Sequence, residues 1–161
     1  MKIFVLRHGK AVQHGYDNDF ERGLNKKGIA QINQIGWILA HDKKVNIDAI
    51  LSSEARRTKE TALIMNHYLH CPSITFDSDL YLCDANTIFE KLSLMGDSLK
   101  TVLYIGHNNG ISNFVSKLTE EPVILSTGNL IEIDLELNQI SLISSGTGIL
   151  KSNIRPDVLV V

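Results

Sequence analysis

Residues 5–12 read VLRHGKAV. An apolar run that begins at Ile3 meets an arginine and a histidine side by side, and then a glycine. Such groups are seldom buried without a partner. Taken alone, Arg7 and His8 read as a solvated strand end. The chain repeats the pattern, however, and the repetition gives it meaning.

The stretch "KIFVL" (2–6) is a short continuous apolar run, the kind that is buried on both faces in a parallel sheet. "IDAILSS" (47–53) and "TVLYIGH" (101–107) read as two further strands of that type, and a short extended piece follows Pro72. Residues 17–24 are polar and turn-like. Between the strands the apolar period changes to that of a helix. Ile29, Ile32, Ile35 and Leu39 predict a helix over about Lys26–His41, and Ala62, Met65 and Leu69 one over about Ala55–Leu69. Ile88, Leu92 and Met95 predict a third from about Asn86 to Met95, and Ile111, Phe114, Val115 and Leu118 a fourth. Near the end, "LIEIDLE" and "ISLIS" alternate apolar with polar, as a half-exposed antiparallel hairpin does. Strands alternating with helices predict an α/β fold, a three-layer sandwich around a mostly parallel central sheet. The chain shows no repeat, low-complexity tract or linker, so residues 1–161 are expected to form one domain.

Composition removes several function classes. The 16 Lys and Arg against 18 Asp and Glu leave a formal charge of −2, so no global basic field points to nucleic acid. The apolar run after Lys2 is too short for a signal-peptide core, and none reaches the ~20 residues of a membrane span. Cys71 and Cys83 have no motif spacing and fit a reduced setting. A cytoplasmic protein without nucleic-acid or membrane partners is expected.

Each buried strand ends in similar chemistry. The first ends in Arg7-His8-Gly9, the second in Ser52-Ser53 with Arg56-Arg57 one helical turn later, and the third in Gly106-His107-Asn108. Ligands of open α/β sheets bind beyond the carboxyl ends of the strands. Parallel neighbours would therefore bring two imidazoles and several guanidiniums to one edge. Guanidinium forks bind phosphate oxygens, and a neutral imidazole is a nucleophile for phosphorus. Helical turns after Gly9 and Gly106 are expected to add backbone N–H donors.

With these residues in view, the chain resembles the histidine phosphatase superfamily, whose fold is phosphoglycerate-mutase-like. Arg7-His8-Gly9 is similar to its first motif, "SSEARRTKETA" (52–62) to its second, with Arg57-Thr58 and Thr61 in frame, and "IGHNNGIS" (105–112) to its second-histidine motif. The segments "DFERGLNKKG" (19–28), "LY" (80–81) and "STGNLIEID" (126–134) further resemble the SixA-type phosphohistidine phosphatases. Gly23, Glu54 and Asn109 stand where the family often has proline.

The resemblance implies roles. His8 is the expected nucleophile, Arg7 and Arg57 clamp the phosphoryl oxygens, and His107 is the second imidazole on the phosphoryl group. Arg22 is a substrate or phosphate contact, with Asp19 orienting it, and Gly9 and Asn108 supply hydrogen bonds. Asn108 equally suits a helix N-cap. The motif frame selects Arg57 over Arg56, which is expected to face solvent. No cofactor is called for, and no metal: His14, His41, His67 and His70 fall outside the motifs and lack carboxylates or cysteines at ligand spacing.

The second motif carries His107-Asn108 where the acid-phosphatase branch resembles His-Asp, and neither Asp79 nor Asp84 is in a convincing frame for a general acid. An imidazole leaving group, whose conjugate acid has a pKa near ~6.5, needs far less protonation than an alkoxide. The expected activity is thus metal-independent dephosphorylation of a protein phosphohistidine through a covalent phosphohistidine on the enzyme. The expected partner is a phosphorylated protein carrying a phosphohistidine domain, or else a small phosphorylated metabolite. The alternatives are a small-molecule phosphomonoesterase on the same site and a catalytically idle phospho-binding module.

Overall fold

The computed structural model describes residues 1–157. Among them, six strands form one sheet: β1 (Lys2–Arg7), β2 (Ala49–Ser53), β3 (Ile74–Asp77), β4 (Thr101–Gly106), β5 (Leu130–Leu135) and β6 (Gly148–Ile154). The order is β3-β2-β4-β1-β5-β6. The first four run parallel, and β5 and β6 add an antiparallel edge. The helices are α1 (Lys26–Trp37), α2 (Arg56–Leu69), α3 (Ala85–Ser93) and α4 (Gly110–Thr119).

The continuous apolar runs are explained by burial on both faces, since alternate residues of a strand point to opposite sides. In β1, Ile3 and Val5 join Ile88, Leu92, Ile111, Phe114 and Leu118 under α3 and α4. Phe4 and Leu6 join Ile32, Ile35, Leu39, Ala62 and Met65 under α1 and α2. The result is the helix–sheet–helix sandwich that the alternation predicts. Local caps set the helix starts: Asn25 accepts the Gly28 amide at 2.8 Å, and Asp84 that of Thr87 at 2.9 Å.

Three expectations are corrected. The first helix does not run regularly to His41, because α1 ends at Trp37 and the chain widens into a π-turn over Ile38–Asp42. Ile29 lies on the outer side of α1, 44% exposed, although its spacing matches that of its buried neighbours. The partner of β5 is not "ISLIS" but β6, paired from Leu130↔Ile154 to Leu135↔Gly148. Ile140–Leu142 is a 3-10 turn that buries Ile140 and Ile143 in the α3/α4 core. Moreover, β5 is almost wholly buried, and its one deeply placed carboxylate, Glu132, is met by Lys2, Lys43 and Ser152.

Register places the site. Arg7 pairs with Gly106 across β1 and β4, so His8 and His107 emerge side by side. Ser52 pairs with Ile105 on the other side of β4, which brings Ser53 and the start of α2 to the same edge.

Candidate active site

Beyond these strand ends lies a cavity of about 350 Å³. Arg7, His8, Asp19, Arg22, Arg57, His107 and Asn108 line it, with Lys10, Gln13 and Thr127. Of its charged side chains, Arg7, Lys10, Arg22 and Arg57 are cationic and Asp19 alone is acidic. Such local convergence builds an anion site on a chain of slightly negative net charge.

His8 is buried, and its Nδ1 lies 2.7 Å from the Gly9 carbonyl oxygen. A carbonyl only accepts, so Nδ1 carries the proton and the lone pair of the neutral ring is on Nε2. Burial, reinforced by the charges of Arg57, Arg7 and Arg22, pushes the His8 pKa down to about 3. His107 is likewise pushed down to about 3, by burial and then by neighbouring His8 and Arg57. The two ring centroids are 5.3 Å apart. The site therefore presents two neutral imidazoles, one with a free lone pair.

The arginines are held by a backbone carbonyl and by Asp19. Arg7 donates from Nη1 to the Leu125 carbonyl at 2.9 Å. Arg57, 2% exposed, donates from Nη1 to the Asp19 carbonyl at 2.8 Å and from Nη2 to Asp19 Oδ2 at 3.0 Å. The other carboxylate oxygen of Asp19 accepts from Arg22 Nε at 3.3 Å. The Tyr81 hydroxyl also donates to Asp19 Oδ2. That bond and the Arg57 contact hold the carboxyl at a pKa of about 2, so it is ionised at neutral pH. Arg7 Nε, Arg57 Nε and His107 Nδ1 are buried with no hydrogen-bond partner among the described residues. Unpaired buried polar atoms are costly unless a ligand meets them.

Most of the sequence-expected residues share this cavity. Gly9 does not line it. A Cβ there would stand 2.7 Å from the Gly28 carbonyl oxygen, so the glycine serves close packing against α1. No helix follows Gly9, and the expected amide donors are engaged elsewhere. The Gly9 N–H donates to Thr61 Oγ1 at 3.2 Å, and that of Lys10 to Gln31 Oε1 at 2.9 Å. The N-cap of α4 is Asn109, and the Asn108 side chain accepts from Ser112 Oγ. Arg56 is 58% exposed and faces Glu60, while Glu54 faces Lys59 away from the cavity. Asp79 pairs with Lys91, and Asp84 caps α3.

Sequence reasoning missed Tyr81 and Ser53 as site residues. Tyr81 packs edge-on against His107 at 5.5 Å, and its face lies 5.9 Å from the Arg57 guanidinium carbon. Ser53 Oγ lies 2.8 Å from His107 Nε2. The available signal for Ser53 was its place as the last residue of a strand that ends at the site.

Comparison with known proteins agrees with this fold. A model of the histidine phosphatase superfamily (branch 1) matches residues 3–84. An uncharacterized protein of Mycobacterium tuberculosis is 29% identical over 103 residues, which span 63% of this chain and 62% of that relative. The structure of the protein histidine phosphatase SixA complexed with tungstate superimposes with a TM-score of 0.82 at 24% identity, covering 97% of each chain. A SixA of Nakamurella multipartitia gives 0.86 at 17% identity, covering 98% of this chain and 96% of its own. An alpha-ribazole phosphatase of Shigella flexneri gives 0.71 at 16%, over 98% and 96%. At such identities the structural likeness is one of fold. With its three strand-end motifs and the family match, the chain belongs to the histidine phosphatase superfamily.

Proposed function

We propose that this protein is a phosphohistidine phosphatase that uses His8 as its nucleophile and requires no metal. The observation that carries the reading is the state of His8: buried, neutral, and hydrogen-bonded at Nδ1 so that Nε2 keeps its lone pair beside two arginines. In the first step the Nε2 pair attacks phosphorus. The bond from phosphorus to the substrate imidazole breaks, its electron pair stays on that nitrogen, and solvent protonates it. In the second step water attacks the phosphorus on His8, the P–N bond breaks with its pair returning to Nε2, and phosphate leaves as a proton passes to solvent. Arg7 and Arg57 balance the charge on the equatorial oxygens in both steps, with His107 as a further contact.

The substrate class rests on proton supply. Asp19 is the carboxylate of the cavity and is ionised, so it does not serve as the acid that an alkoxide leaving group requires. An imidazole leaves without one. The mouth also suits a macromolecular substrate, since Leu82, 53% exposed, lines it, and Tyr16, 42% exposed, packs against Arg22. The two free thiols fit a cytoplasmic setting.

The test is phosphate release in EDTA from a phosphohistidine-bearing protein and from p-nitrophenyl phosphate, by wild type and by His8→Ala. Release from the phosphohistidine that disappears in the variant is the expected result. Faster release from the ester assigns the site to small phosphomonoesters, a class in keeping with the alpha-ribazole phosphatase fold-mate. Binding of the phosphoprotein without turnover in either form assigns it to an idle binding module.

A further inference from the structure

Ser53 is the last residue of β2 and is wholly buried, as His107 nearly is. Its Oγ lies 2.8 Å from His107 Nε2 and also accepts the Ala55 N–H at 3.4 Å. The other ring nitrogen of His107, Nδ1, is buried and meets no partner among the described residues. The neutral ring has one N–H and one lone pair to distribute between these two positions.

The two arrangements differ in what they leave unsatisfied. If Nε2 carried the proton, Ser53 Oγ would accept twice, from His107 and Ala55. Its own hydrogen would then have no acceptor among the described residues. Nδ1 would be left as a bare lone pair in a side chain that lines an anion cavity, where it repels phosphoryl oxygens. If Ser53 instead donates to Nε2, its hydroxyl is satisfied in both senses and the leftover atom of His107 is an N–H. An unpaired buried polar group is expensive, so the second arrangement prevails.

We propose that Ser53 is a positioning residue that holds His107 in the Nδ1–H tautomer, so that the second imidazole meets a phosphoryl oxygen as a neutral hydrogen-bond donor. The donor role rests on the reading that the cavity takes a phosphoryl group; the tautomer itself does not. A consequence follows for the division of labour. Both histidines carry their proton on Nδ1, but they present opposite atoms to the site. The Gly9 carbonyl occupies Nδ1 of His8 and leaves its Nε2 pair free to attack. Ser53 occupies the Nε2 pair of His107 and leaves only its N–H. Two buried neutral imidazoles 5.3 Å apart are thereby made unequal, one a nucleophile and the other a donor.

The test is a long-range ¹H–¹⁵N spectrum of the ¹⁵N-histidine-labelled protein at neutral pH, without ligand. The His107 signals are identified by their loss in His107→Asn. The expected wild-type spectrum shows a protonated Nδ1 and an unprotonated Nε2 for His107. A protonated Nε2 in wild type overturns the proposal, and this measurement depends neither on a variant that folds nor on any phosphatase activity. Inorganic phosphate is then titrated in. A shift of the His107 Nδ1–H resonance supports the donor role, and a resonance that stays still at saturating phosphate overturns it. In Ser53→Ala the Nδ1–H signature should give way to the other tautomer or a mixture. The rate kcat on phosphohistidine protein should fall about 10- to 100-fold with KM within about threefold. An unchanged tautomer in that variant overturns the assignment to Ser53. Retention of the tautomer pattern in a protein with no phosphatase activity would sink the functional reading alone.

Discussion

Asp19 grips Arg57 twice, through its backbone carbonyl at 2.8 Å and through Oδ2 at 3.0 Å, although Asp19 itself lies on the exposed segment ahead of α1. An anion site thus contains a carboxylate, which aims the guanidinium while repelling the anion it serves. Replacement by the neutral isostere separates the two effects. Asp19→Asn is expected to bind inorganic phosphate several-fold more tightly by calorimetry, since a negative charge leaves the cavity. It is expected to lose about tenfold in kcat, since Arg57 and Arg22 lose their orienting partner. Weaker phosphate binding together with unchanged kcat would contradict this account.

Arg57 and Arg56 are neighbours with opposite fates. Arg57 is 2% exposed and lines the cavity, whereas the Arg56 side chain is 58% exposed. Arg57→Ala should lower kcat by on the order of 10²- to 10³-fold, the loss seen when one transition-state donor is removed. Arg57→Lys should recover little, because a point charge cannot reproduce the two-atom grip on Asp19. Arg56→Ala should leave kcat and KM within about twofold of wild type. Comparable losses in the two alanine variants would show that the motif frame has been misassigned.

The two site histidines make stability depend on pH. In the folded protein both have pKa values of about 3, while in the unfolded chain they titrate near ~6.5. Between these values the unfolded state binds more protons, so stability rises with pH across the window and falls on acidification. Going from pH 7 to pH 5 should cost about 2 kcal/mol per ring. Asp19 acts in the same sense, but its stabilisation is lost only as pH falls toward about 2, below this range. Urea unfolding at pH 7 and pH 5 measures the difference, and His8→Ala should show a shallower dependence than wild type. Equal dependence in both proteins would mean that His8 is not held neutral by the fold.

Gly28 sits where the first turn of α1 passes under the loop that follows His8. A Cβ on it would stand 2.0 Å from the Lys10 carbonyl oxygen and 2.7 Å from the Lys10 nitrogen. Both atoms are backbone and cannot swing aside. Gly28→Ala is therefore expected to destabilise by about 1–3 kcal/mol, visible as a lower melting temperature, and to reduce activity by displacing the loop. A melting temperature equal to that of wild type would show that the loop yields at no cost.

Much of the fold was legible because its physics is local. A parallel strand buried on both faces must be apolar throughout, and KIFVL and TVLYI have that form; the helices between them show the 3.6-residue period. The pairing of β5 was not legible, since the true partner GILKSNI sets Ile149 beside Leu150 and three polar residues in a row, without the alternation that "ISLIS" suggested, and the choice depends on which segment can lie along an edge strand. Ile29 shows the same limit. Its spacing is that of a core residue, but packing of α1 on α2 decides how wide the buried stripe is.

For the site, the sequence by itself determined the chemical inventory: which strand ends carry imidazole and guanidinium groups, and in what order. Motif frame distinguished Arg57 from Arg56 before any coordinates. The tertiary structure alone decided how those groups act. It is β-sheet register that sets His8 beside His107, burial that strips both of their charge, and partners remote in sequence that fix the rest. Asp19 meets Arg57 across 38 positions and Tyr81 across 62, and Ser53 meets His107 across 54. Proton placement depends on the nearest donor or acceptor in space, and chain order carries no record of that distance.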